Sequence, residues 1–216
     1  MNQCIASAFA VSGSDIPYLG LYGACSTCAL SLGIGALLYN GGMANKCACV
    51  TSSHYCSAER QYRSPVEYGA QRSPTAQWTA TAAGAFMLRK NGSVRVREAL
   101  PGIVVEKGIS DASNMGAAMA PAAADTILRY FRESGASPKY FDAIVTGDLG
   151  KEGASILCEL LRSEGLDIRD QHKDCGVLIY DIERQDKHAG GSGCGCSASV
   201  LSAYVIPEME KGRFKK

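Results

Sequence analysis

The spacing of apolar positions changes along the chain, and each change marks an element. The longest apolar block, residues 28–39, is hydrophobic on every face and so predicts a helix buried in a core. Gly41-Gly42 stops it, and the polar turn Gly23-Ala24-Cys25-Ser26-Thr27 leads into it. Upstream, residues 2–10 read as a helix with no strand or cap before it, and 16–22 as a short strand running into the turn. Residues 46–53 carry small or β-branched side chains on both faces, the pattern of a central strand. Two further strand-like runs, 79–89 and 94–108, are joined at Asn91-Gly92, a strong hairpin signal.

In the second half, Pro121 is placed as a first helical residue, opening an amphipathic helix to Arg132 with Ile127, Leu128 and Phe131 inward. Ser137-Pro138 ends the connection, and a strand follows at 141–146. After a Gly-Asp-Leu-Gly turn come a helix over 154–164 stopped by Gly165, a buried strand over 177–181, a glycine-dense loop over 188–196 and a helix over 197–209. Strands alternating with helices predict an α/β fold with crossover connections. Between His54 and Trp78 the periodicity disappears. The aromatics Tyr55, Tyr62, Tyr68 and Trp78, set among Arg60, Arg63 and Arg72, predict an ordered flap over 54–78.

Composition narrows the function classes. With 216 residues, 46% hydrophobic and a net charge of +1, the chain is globular and has no global field to recruit nucleic acid or an anionic bilayer. No signal peptide is expected from Met1-Asn-Gln-Cys-Ile, and no apolar run reaches the ~20 residues a span needs. The ten cysteines are therefore read as free thiols in a reducing compartment. Cys25-x-x-Cys28, Cys47-x-Cys49 and Cys194-x-Cys196 look like metal or redox pairs, but they fall in a buried helix, a strand and a glycine loop without four converging ligands. No metal and no cofactor is expected, and small buried thiols account for most of them.

Cys25 stands apart. In the first turn of a helix, it feels the positive end of the macrodipole and unpaired N–H groups, which favour thiolate; the plain alternative is a buried structural thiol. His54, His172 and His188 and the flap arginines are the remaining groups able to line a pocket with Cys25 and Gly23. A hydrogen-bonded strand-end residue is the plain reading of His54, structural or surface positions that of His172 and His188, and solvation that of each arginine. One or two of Arg60, Arg63 and Arg72 could clamp a carboxylate.

Two stretches share a grammar: helix, strand, then a Gly-Ala-Cys-Ser or Gly-Cys-Gly-Cys-Ser turn, then a helix. That suggests internal duplication. Duplicated α/β halves with a cysteine opening a buried helix resemble the thiolase-like condensing-enzyme superfamily. Within it, Tyr22-Gly-Ala-Cys-Ser-Thr27, Val50-Thr-Ser-Ser-His54, residues 114–122, Thr146-Gly-Asp-Leu-Gly-Lys-Glu152 and His172-Lys-Asp-Cys-Gly176 resemble the stage V sporulation protein AD family. The resemblance implies a thiolase-like fold of duplicated α-β-α-β-α layers truncated at both ends. An incomplete N-terminal half would cover 1–135 and an incomplete C-terminal half 136–216.

In condensing enzymes the cysteine carries an acyl group while His and Asn side chains polarise the carbonyl. By resemblance Cys25 takes the cysteine position, but Gly147 and Gly150 stand where one His and Asn would be. Asp186-Lys187-His188 resembles the second loop, with Gly190-Gly191 in place of its Asn. A non-catalytic binding protein is therefore expected, with an acyltransferase or thioesterase using Cys25 as the first alternative and a scaffold or inactive gene fragment as the second. The resemblance also implies the ligand: dipicolinate (pyridine-2,6-dicarboxylate), free or as its calcium chelate, taken up into the developing spore. The implied partners are membrane subunits of the uptake complex, with a possible homodimer, at the cytoplasmic side of the forespore inner membrane.

Overall fold

The computed structural model describes residues 3–57 and 72–216 and is mixed helix and sheet. In chain order the elements are α1 (Gln3–Ala10), α2 (Thr27–Asn40), β1 (Cys47–Ser53), β2 (Trp78–Thr79), β3 (Ala82–Leu88), α3 (Met115–Ser134), β4 (Ile144–Thr146), α4 (Gly150–Ser163), β5 (His172–Asp174), α5 (Cys175–Leu178), β6 (Gly191–Ser192), α6 (Cys194–Val200) and α7 (Ile206–Glu210). A π-helical turn, Leu201–Val205, joins α6 to α7 directly ahead of Pro207, whose missing N–H leaves the regular ladder short of a donor. Among the described residues the strands form three pairs: β1 with β3 antiparallel, β2 with β6 parallel, and β4 with β5 parallel.

β1 is not the central strand its composition suggested. Its buried residues alternate, Cys49, Thr51 and Ser53 inward, while Val50 on the other face is 62% exposed. Its small residues serve a different need, the close approach of α6 and α2 to one face of the β1–β3 pair. A Cβ on Gly84 of β3 would stand 2.6 Å from the Ala198 carbonyl of α6, so only glycine admits the helix at this distance. The helix α2 is likewise buried on one stripe, Thr27, Cys28, Ser31 and Gly35, and Leu37 opposite is 64% exposed. The expectation of burial on every face is corrected accordingly.

Four other expectations fail. Residues 16–22 form no strand, and 94–108 do not pair with β3 through Asn91-Gly92, because the antiparallel partner of β3 is β1. Pro121 lies inside α3 rather than at its start: Asn114 caps the helix earlier, its Oδ1 accepting from the Ala117 N–H at 3.1 Å. Residues 177–181 are not a strand, since the Asp174 side chain accepts from the Val177 N–H at 3.2 Å and turns the chain into α5.

The same carboxylate explains why α4 starts at Gly150 rather than Ala154. Asp174 accepts from the Leu149 N–H (2.8 Å), the Gly150 N–H (2.9 Å) and the Thr146 hydroxyl (2.7 Å), so a buried residue of β5 supplies the cap that α4 lacks in its own sequence. Asp148 acts similarly at α6, accepting from the Gly193 N–H at 2.7 Å, and that helix begins at Cys194 instead of Ser197.

The largest core cluster lies between α3 and α4: Ala120, Ala124, Phe131, Leu149, Leu157, Leu161 and Ile168, with Ile127 and Leu128 packed against it. The helices touch backbone to backbone at Gly116 and Gly153; a Cβ on Gly153 would lie 2.8 Å from the Gly116 Cα. Two further clusters, one around Cys175, Cys196 and Val205 and one around Cys28, Cys49 and Phe86, bury thiols as small apolar groups. No described helix is long and apolar enough to cross a membrane.

Candidate functional site

The parallel pairing of β2 with β6 sets Trp78 opposite Gly191 and lays the chain before Trp78 beside the chain before Gly191. The Trp78 N–H donates to the Gly190 carbonyl at 2.9 Å, and the Ala189 N–H to the Ala76 carbonyl at 3.2 Å. The Lys151 N–H donates to the Ala189 carbonyl at 2.8 Å, which ties the start of α4 to the same place. A cleft of 610 Å³ results, lined by Arg72, Ser73, Pro74, Lys151, Glu152 and His188.

Trp78 organises the side chains around this cleft. Tyr55 stacks on it with centroids 5.8 Å apart, and the Arg72 guanidinium lies 5.0 Å and the Lys187 ammonium 4.4 Å from its ring centre. Arg72 is further fixed by donating to the Tyr55 hydroxyl at 2.8 Å. The His188 ring meets Trp78 edge-on at 6.4 Å. Its Nδ1 lies 2.8 Å from the Ser73 carbonyl oxygen and its Nε2 3.3 Å from an Asp186 carboxylate oxygen. His188 and Asp186 both have φ of +48°, an uncommon conformation for residues with a Cβ, held here by these contacts. The cleft wall carries the basic Arg72 and Lys151 and the acidic Glu152, with Lys187 beside it over Trp78 and Asp186 beside it at His188. The arrangement suits a small anion with a flat face.

The family model for stage V sporulation protein AD matches residues 1–216. The chain belongs to that family. It is 38% identical over 217 residues to Stage V sporulation protein AD of Bacillus subtilis (strain 168), a match that covers 100% of this chain and 64% of that protein. The chain thus spans a little under two thirds of the length of this curated relative.

In this stage V sporulation protein AD family member, the residues singled out from the sequence divide into three groups. Arg72 and His188 meet at the cleft. Arg60 and Arg63, with Tyr62 and Tyr68, lie outside the described residues. Cys25, Gly23 and His54 are placed elsewhere: none of them lines the cleft.

Cys25 sits half-buried in a 3₁₀ turn, Ala24–Ser26, that packs against α6. The turn closes on itself. The Gly23 N–H donates to Thr27 Oγ1 (3.0 Å), Thr27 Oγ1 donates to the Ala24 carbonyl (2.7 Å), and Ser26 Oγ to the Gly23 carbonyl (2.6 Å). Ala24 has φ of +47°. One turn on, burial pushes the Cys28 thiol up to about 11, partly offset by a hydrogen bond with Ser197, so the helix start does not produce thiolate there. His54 is exposed, and its Nδ1 accepts from the Cys56 N–H at 3.2 Å within a local turn.

Of the four glycines that the resemblance sets at side-chain positions of condensing enzymes, Gly150, Gly190 and Gly191 leave little room for a Cβ, that of Gly191 falling 2.6 Å from Ile179 Cγ2. A Cβ on Gly150 would lie 2.5 Å from the Ala189 carbonyl oxygen, and one on Gly190 2.5 Å from the Gly176 carbonyl oxygen; both have positive φ. Gly147 has ordinary contact space beside Ser197.

The sequence reading did not give Lys151, Lys187 or Tyr55 a role in binding. Weak signals existed: Lys187 adjoins His188, Lys151 follows the Thr146–Gly150 turn, and Tyr55 adjoins His54.

Proposed function

We propose that this chain binds dipicolinate in the Arg72–Lys151–His188 cleft and serves its uptake into the developing spore with membrane subunits of a spore complex. The observation that carries the reading is the pairing of a tryptophan ring with two cations, Arg72 and Lys187, at the edge of a basic cleft. A dianion with a flat aromatic ring needs these two features together: charge-assisted donors for two carboxylates and an aromatic surface beside them. Glu152 is the carboxylate on the cleft wall available to calcium when the ligand arrives as its chelate. A peripheral place at the forespore membrane fits a chain whose described helices include none able to span a bilayer.

The reading extends to architecture. The helix α2 follows a turn containing Gly23 and Cys25, α6 follows a glycine-rich turn and opens on Cys194, and the two pack on one another, as the paired central helices of two thiolase-like halves would. Two of the positions that the resemblance gives to polarising side chains are glycines without room for a Cβ, which weighs against acyl transfer through Cys25.

Trp78 is the only tryptophan of the chain and touches the cleft residues Arg72 and His188, so its fluorescence reports on them. Titration with dipicolinate should change that emission saturably, and benzoate, with one carboxylate, should do so only at far higher concentration. An emission that stays constant, or responds equally to both anions, defeats the reading.

A further inference from the structure

Thr146 and the run from His172 to Gly176 contribute no side chain to the basic cleft. The β4–β5 pairing sets them side by side, Thr146 opposite Asp174. Across from them on α4, half-buried Cys158 places its Sγ 3.8 Å from His172 Nδ1. The other ring nitrogen, Nε2, is 2.9 Å from Thr146 Oγ1, and the Thr146 hydroxyl donates to Asp174 Oδ2 at 2.7 Å.

The direction of this chain of contacts can be read from its end. The Asp174 carboxylate only accepts, so the Thr146 hydroxyl points its proton there and leaves its oxygen to accept from His172 Nε2–H. A neutral imidazole protonated at Nε2 turns its Nδ1 lone pair toward the Cys158 thiol. Burial pushes the thiol up and the imidazole down from their ordinary values, so the resting pair is neutral and the proton leaves sulfur only together with the attack of sulfur on its electrophile. The charged groups around the pair are Asp174 and Lys173 on β5, Glu159 on α4, and Asp167 and Arg169 on the connection between them. The side chains of Asp167 and Arg169 are about half exposed, which puts the thiol near solvent.

We propose that Cys158 is a thiol–disulfide exchange site, with His172 as its general base, Thr146 and Asp174 as the positioning residues that fix the tautomer, and a low-molecular-weight disulfide of the glutathione type as its co-substrate. The Cys158 S–H passes its proton to His172 Nδ1 as the sulfur attacks one sulfur of the disulfide. A new S–S bond to Cys158 forms and the disulfide's own S–S bond breaks. The departing thiolate takes the proton back from the imidazolium. Cys158 is oxidised to the disulfide level and the small disulfide is reduced to one bound half and one free thiol.

The test incubates the whole chain with oxidised glutathione and follows the Cys158 peptide by mass spectrometry. The expected result is a glutathione adduct at Cys158 that Cys158→Ser removes and that forms faster as pH rises through the titration of His172. His172→Gln should slow it by at least about tenfold, the lower range for loss of a general base being near a hundredfold. Because that variant could disturb packing, Thr146 provides an independent arm: Thr146→Val should slow the adduct and Thr146→Ser should keep the native rate. If His172 only covers the thiol, His172→Gln exposes it and speeds the reaction, which overturns the proposal. Adducts confined to Cys25, Cys56 or other cysteines overturn it as well.

Discussion

The Cys25 turn and the Trp78 cleft make opposite cases. The first consists of five consecutive residues at a helix start and looks like a reactive site in the sequence, yet it spends its hydrogen bonds on itself through Gly23, Ser26 and Thr27. The second draws on Tyr55, Arg72, Trp78, Lys151, Lys187 and His188, from four separated stretches, and no spacing announces it. Local motifs reveal backbone geometry, whereas the grouping of charges depends on strand pairings such as β2 with β6.

The contrast can be broken at several points. The largest effect is expected at Asp174, whose carboxylate caps both α4 and α5 from a buried position. Asp174→Ala should cost on the order of 3 kcal/mol in urea unfolding and loosen the end of α4 that carries Lys151, because several buried donors lose their acceptor together. Thr27→Ala, which opens only the Cys25 turn, should cost about 1 kcal/mol. Equal costs would mean that the α4 cap is not what positions the cleft.

Next in size is Arg72→Ala, expected to weaken dipicolinate binding on the order of tenfold through the loss of a charged donor. Trp78→Leu should weaken it by about fivefold, measured by calorimetry because the fluorophore is gone, the amount of one partly exposed ring–ion contact. The smallest effect concerns pH. His172 is held below its ordinary value of 6.5 by burial, so the unfolded chain binds the proton more readily than the folded one. Stability should therefore decline as pH falls from 6.5 toward the folded-state value, and melting curves of wild type and His172→Gln between neutral and mildly acid pH should diverge in that window.

How far the sequence could be read follows the same division. Helices with their own stop and start signals were legible: α2 before Gly41-Gly42, and α4 before Gly165. Boundaries failed where the cap came from elsewhere in the chain. Asp174 extends α4 back to Gly150 and draws Val177 and Leu178 of the strand-like run into α5, and neither effect is visible locally. The hairpin at Asn91-Gly92 failed because turn chemistry permits a pairing without requiring it, and β1 offered β3 a register in which Cys49 meets Phe86 against α6. At the site, Arg72 and His188 were legible as residue types able to hold an anion, but their company with Lys151 and Lys187 was not. That company arises from the parallel β2–β6 ladder and the Lys151 tether to Ala189.

The most direct measurement is calorimetric titration of dipicolinate into three proteins: the unaltered chain, Cys25→Ala, and the double variant Arg72→Ala/Lys151→Ala. The expected outcome is binding by the first two with affinities within about twofold, and a loss of two orders of magnitude or more in the double variant, roughly two charge-assisted contacts removed. Binding that survives in the double variant and vanishes with Cys25→Ala would return the site to the helix-start turn and contradict the account.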